Sequence, residues 1–113
     1  MIPLVEKKLS QLTVLCKAHQ VDSLALFGSA AHGDFGDSSD LDFLVSFSNS
    51  IELLDYADNY FGLLEKLESL FNRPIDLVSE KSLKNPILIA EINRSKVSLY
   101  ESESSLIQKV LSL

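Results

Sequence analysis

The sequence predicts an α+β sandwich, a single mixed β-sheet with helices packed on it. Two observations lead there. Apolar runs of strand length, "DSLALF", "LDFLVSF", "IDLVS" and "KVSLYES", alternate with longer stretches whose apolar residues recur at helical spacing. The breaks between them carry Gly, Pro, Asn, Asp and Ser, the residues that turn a chain. At 113 residues, with 46% hydrophobic and 23% charged residues, the chain has material for one packed core. We expect one domain over 1–113, with a nucleus at about 21–101 and a tail at 102–113.

Taken in order, Leu4, Val5, Leu9, Leu12, Leu15 and Cys16 fit one helix from Pro3 to about Gln20. "DSLALFGS" follows as a buried strand ended by Gly28, and "SAAHGD" suits a short helical turn opening at Ser29. The loop "DFGDSSD" is rich in turn formers, so Asp34 and Asp37 within it are expected to favour the turn. In "LDFLVSF" the residues Leu41, Phe43, Val45 and Phe47 share one strand face.

A long amphipathic helix comes next, with Leu53, Leu54, Ala57, Phe61, Leu64, Leu67 and Phe71 expected inward and Gly62 weakening it. Tyr56 and Tyr60, one turn apart on it, read as packing residues. "RPIDLVS" is a strand with Pro74 at its first residue. "NPILIAEINRS" is a helix capped near Asn85 with Pro86 at its first position. "KVSLYES" closes the sheet. The tail places Leu106, Ile107, Val110 and Leu111 on a helical stripe, which can pack on its own sheet, dock on a partner or pair with a second copy.

The formal charge is −6. An acidic chain is a poor stand-alone binder of nucleic acid, whose affinity comes from Lys and Arg on phosphates. It suits metal ions or a basic protein partner. One cysteine, Cys16, excludes an internal disulfide and a cysteine-based zinc site, which fits a reducing cytoplasm. His19 nearby has no companion motif for zinc. No stretch reaches the ~20 apolar residues a membrane span requires.

The chemistry concentrates in "LFGSAAHGDFGDSSDLDFLV". Asp40 and Asp42 fall on the same strand face, with Cα atoms ~6–7 Å apart by strand rise. Like charges that close are costly without a cation, and carboxylates with phosphate oxygens are the ordinary ligands of Mg²⁺. Gly28 lets a phosphate approach the backbone, and Ser29 offers a hydroxyl and an N–H at a helical start. Asp76 interrupts an apolar strand run; beside the Asp40–Asp42 strand it would face the same site and could accept a proton. Each feature alone has a plainer reading: a surface acidic pair, a strand-ending turn, an outward polar position.

Gly28-Ser29, ten intervening residues, then Asp40-Leu41-Asp42 resembles the signature of the DNA polymerase β-like nucleotidyltransferase superfamily. With Asp76 downstream and "NPILIAEINRSKVSLYE" at the end, the chain is similar to its minimal members, which include MNT-type antitoxins paired with HEPN ribonuclease toxins. That resemblance implies a nucleotidyltransferase fold and a two-metal transfer. Gly28 and Ser29 would hold the terminal phosphates of ATP, and Asp40, Asp42 and Asp76 would bind Mg²⁺, with Asp76 activating the acceptor. Antitoxins of this kind move AMP from ATP to a tyrosine of the toxin and silence it.

One departure stands out. Many minimal members read Gly-Ser-x-Ala-Arg-Gly where this chain has "GSAAHG", so His32 takes the place of an arginine that would clamp phosphate bidentately. The second functional expectation is therefore a non-catalytic antitoxin that covers its toxin. A third, transfer to a small metabolite, lacks a second domain to hold the acceptor.

Overall fold

The computed structural model describes residues 2–32 and 40–113. Among them run α1 (Pro3–Glu6), α2 (Leu9–Ala18), β1 (Val21–Phe27), α3 (Ser29–His32), β2 (Leu41–Phe47), α4 (Leu53–Phe71), β3 (Ile75–Ser79), a 3₁₀ turn (Glu80–Ser82), α5 (Pro86–Ser95), β4 (Val97–Glu101) and α6 (Glu103–Leu111). The strands form one sheet in the order β3-β2-β1-β4. β1 is antiparallel to both β2 and β4, while β3 runs parallel to β2. The mixed sheet of an α+β protein is thus as expected, and α4 is the crossover that a parallel pair requires.

The two sheet faces differ. Leu41, Phe43, Val45 and Phe47 point into the larger core, where α2 contributes Leu12 and Cys16 and α4 contributes Leu63, Leu67 and Phe71. On the opposite face Ala25 and Leu44 meet Ile92 of α5 in a smaller cluster. Both faces follow from strand alternation, and β2 carries bulk on each side of its centre. α5 starts as its sequence suggests: the Asn85 side chain accepts from the N–H groups of Ile87 and Leu88, with Pro86 behind it.

Two expectations need correction. The first helix is not continuous: the Lys8 N–H bonds to the Val5 carbonyl, three residues back, and the helix restarts when Leu12 bonds to Lys8. The tightened turn lets both Val5 and Leu12 reach full burial. The inward stripe of α4 is also rotated. Leu67 and Phe71 are buried and Leu64 is half-buried, but Leu53, Leu54, Ala57 and Phe61 lie exposed, and Leu63 takes the core position. Tyr56 and Tyr60 fill the adjoining turns on the core side. Gly62 has a positive role: a Cβ there would come within 3.2 Å of the His19 ring. The apolar stripe of α6 does not pack on the sheet; Leu106, Ile107, Val110 and Leu111 are all exposed.

Candidate active site

Three strand ends meet at one corner of the sheet. β1 and β2 are antiparallel with Phe27 opposite Asp42, so the residue after Phe27, Gly28, lies against Asp42. β2 and β3 are parallel with Asp42 opposite Asp76. Cross-strand partners share a face, so these two carboxylates project from the face that also carries Leu44 and Val78. The condition set for Asp76 holds: its strand is the neighbour of the Asp42 strand. The pairing is anchored just below the site, where the Leu41 N–H reaches the Pro74 carbonyl at 3.3 Å.

Gly28 is required twice over. Its φ is +71°, a conformation L side chains rarely adopt, and a Cβ there would stand 2.2 Å from Asp42 Oδ2. The backbone after β1 is thus pressed against a carboxylate that any larger residue would displace. α3 begins at the next residue, Ser29, and the Ala31 N–H closes back on the Gly28 carbonyl at 3.1 Å. Ala30 is buried and holds this turn to the core.

The electrostatics match the crowding. The Asp42 carboxyl is pushed up to about 6, first by burial, then by the charge of Asp76 and a side-chain hydrogen bond with it, and last by the charge of Asp40. Asp40 itself is exposed, immediately before β2. Asp42 and Asp76 thus stand side by side, with Asp40 acting on Asp42 from further out. Among the described residues no three His, Cys, Asp or Glu side chains already converge on a metal position. The donor set nevertheless suits a hard divalent cation: all oxygen, held closely enough that like charge is costly.

The side chain of His32, and all of Asp34 and Asp37, lie outside the described residues. Tyr60 belongs to the surroundings of the site, although its sequence position suggests only packing. Its hydroxyl donates to the Leu77 carbonyl at 2.6 Å, and the phenol is pushed above its usual range by burial and then by the charge of Asp76. Its neighbour Tyr56 bonds to the Ser79 hydroxyl. The signal in the sequence was the i, i+4 spacing of two tyrosines, which puts both hydroxyls on one helix face.

Comparison with known proteins identifies the family. The family model for polymerase β nucleotidyltransferases matches residues 10–105. A provisionally named protein adenylyltransferase of Methanocaldococcus jannaschii is 33% identical over 86 residues, or 74% of this chain and 82% of its own. A solved structure provisionally named a minimal nucleotidyltransferase is 32% identical, with a TM-score of 0.65 over 85% of this chain and 95% of its own. The fold also recurs, at 18% identity and a TM-score of 0.60, in a structure of a tri-AMPylated Shewanella oneidensis HEPN toxin in complex with an MNT antitoxin. That match covers 95% of this chain and 83% of the other. With the glycine turn and the register-paired carboxylates at its centre, the chain belongs to the polymerase β nucleotidyltransferase family.

Proposed function

We propose that this protein is an antitoxin that transfers AMP from ATP to a tyrosine hydroxyl of a HEPN-type toxin. The observation that carries the reading is the pairing of Asp42 with Asp76 beneath a glycine turn that admits no side chain. Further support comes from the adenylyltransferase name of the M. jannaschii relative and from the AMPylated toxin held by the Shewanella antitoxin.

In this mechanism Asp40, Asp42 and Asp76 would hold Mg²⁺, which would supply charge neutralisation and Lewis acidity to the phosphates. Gly28 and the start of α3 at Ser29 would offer backbone N–H groups and a hydroxyl to the β- and γ-phosphates, beside the Asp42 carboxylate that the missing Cβ lets come close. Asp76 is exposed and adjacent to Asp42, placed to take the proton of the incoming hydroxyl. A bond forms between the acceptor oxygen and the α-phosphorus, the α–β anhydride bond breaks, and pyrophosphate leaves. Above its raised pKa of about 6, Asp42 is a carboxylate ready to bind a cation.

The second reading, neutralisation by covering alone, draws on His32 standing where many minimal members carry a phosphate-clamping arginine. Incubation with ATP, Mg²⁺ and the product of the adjacent gene separates the two. We expect the mass of the partner to rise by one or more AMP units with the wild type and not with Asp42→Asn. A partner that is blocked equally, and left unmodified, by both proteins sinks the transferase reading.

A further inference from the structure

α4 carries two apolar surfaces, and only one is used by the fold. Leu63, Leu67 and Phe71 are buried, whereas Leu53 and Leu54 are 84% and 82% exposed and Phe61 is 65% exposed. With Ala57 these residues make a stripe about 12 Å long at 1.5 Å per residue. It borders a groove of about 460 Å³ between α4 and β3, lined by Leu77, Val78 and Ser79 on the β3 side and by Tyr56 and Tyr60 on the α4 side. Leu77 follows Asp76 in β3, so the groove and the candidate site share this strand on opposite faces of the sheet.

Two features state what would fit there. First, β3 is an edge strand, but two of its carbonyls are already taken. That of Leu77 accepts from Tyr60 at 2.6 Å, and that of Ser79 accepts from Ser82 at 2.7 Å. An added strand would lose those acceptors, so strand addition is disfavoured and a helix laid in the groove is not. Second, the stripe is rimmed by acid. α4 carries Asp55, Asp58, Glu65 and Glu68 against a single Lys66. Asp58 lies one turn beyond Leu54, and Glu65 one turn beyond Phe61. The complementary surface is apolar at its centre and basic at its edge.

We infer that the α4–β3 groove docks an amphipathic, basic-rimmed helix of the acceptor protein, holding that protein against the strand that carries Asp76. This inference rests on the transferase reading for its acceptor but not for the docking itself.

The test uses the full chain, ATP with Mg²⁺, and the purified product of the adjacent gene as the probe. Leu54→Lys and Phe61→Lys alter exposed positions, so circular dichroism should show an unchanged fold. Each should weaken binding of the probe, and raise the KM for it in AMP transfer, by at least about tenfold, as loss of an interface anchor does. Affinity for ATP should stay within about twofold. Ile107→Lys, on the exposed stripe of α6, should leave docking intact. Unchanged binding in the α4 variants overturns the inference, as does loss of binding through Ile107→Lys alone. A wild-type dimer in sedimentation that Phe61→Lys splits also overturns it, by making the stripe a contact between copies. Docking that depends on Phe61 without any AMP transfer upholds the inference and removes the transferase reading instead.

Discussion

Gly28 concentrates the fold and the chemistry in one atom that is missing. A left-handed φ of +71° and a Cβ position 2.2 Å from Asp42 Oδ2 both demand glycine. Gly28→Ala should therefore cost about 1–2 kcal/mol from backbone strain alone. It should also displace the Asp42 carboxylate, which stands between Gly28 and Asp76. A thermal melt combined with nucleotide titration checks this: we expect a lower Tm together with loss of ATP binding, and a variant that binds ATP normally would contradict the close approach. At this scale the sequence was informative about residue types and silent about pairing. The Gly-Ser and Asp-x-Asp marks lie in one stretch, but the meeting of Gly28 with Asp42 depends on the register of β1 against β2, with Phe27 opposite Asp42. Likewise Asp76 reaches the site only because β3 joins β2 in parallel, which an isolated pentapeptide does not encode.

Among the elements, α4 was the hardest to read. Its apolar residues populate two adjoining arcs of one helix, and periodicity reveals both without choosing the one that meets the sheet. The choice falls to neighbours distant in sequence: Phe43 packs on Phe71 with ring centroids 5.9 Å apart, and Tyr56 packs edge-on to Phe47 at 5.1 Å. These contacts turn Leu63 inward and Leu53 outward. The break at Lys7–Lys8 was hidden for a similar reason, since both halves keep helical spacing and both Val5 and Leu12 are buried. Strands β2 and β3 and helix α5 were legible because local signals agreed there: alternation in β2, Pro74 before β3, and the Asn85–Pro86 start of α5. A paired measurement tests the rotated stripe. Leu63→Ala should lose about 2–5 kcal/mol in urea unfolding, as buried leucines do. Leu53→Ala should stay within about 0.5 kcal/mol. The reverse order of losses would mean that Leu53, not Leu63, faces the core.

Across the whole molecule, a chain of charge −6 sets two carboxylates side by side at one corner of its sheet, with a third acting from further out, and the fold bears a cost for it. The sign follows from linkage. Asp42 titrates at about 6 when folded, above its ordinary 3.8, because burial and the charges of Asp76 and Asp40 oppose ionisation. Between those values the folded state holds a proton that the unfolded chain has released. Stability is therefore highest, as far as this group is concerned, below about pH 4, and falls as pH rises through 6. Asp42→Asn removes the ionisation altogether. In chelator it should melt above the wild type at pH 7.5, with the gap closing as pH falls from 6 toward 4. The shift is partly screened, because Asp42 is only partly buried, so the gap should be modest. Mg²⁺ should then raise the wild-type Tm by mass action and move Asp42→Asn much less, bringing the two curves together at neutral pH. Such a crossing would identify the crowded corner as a site whose instability is relieved by its ligand. Parallel melting curves at every pH, with and without Mg²⁺, would instead reduce Asp42 to an ordinary polar residue on a half-buried strand.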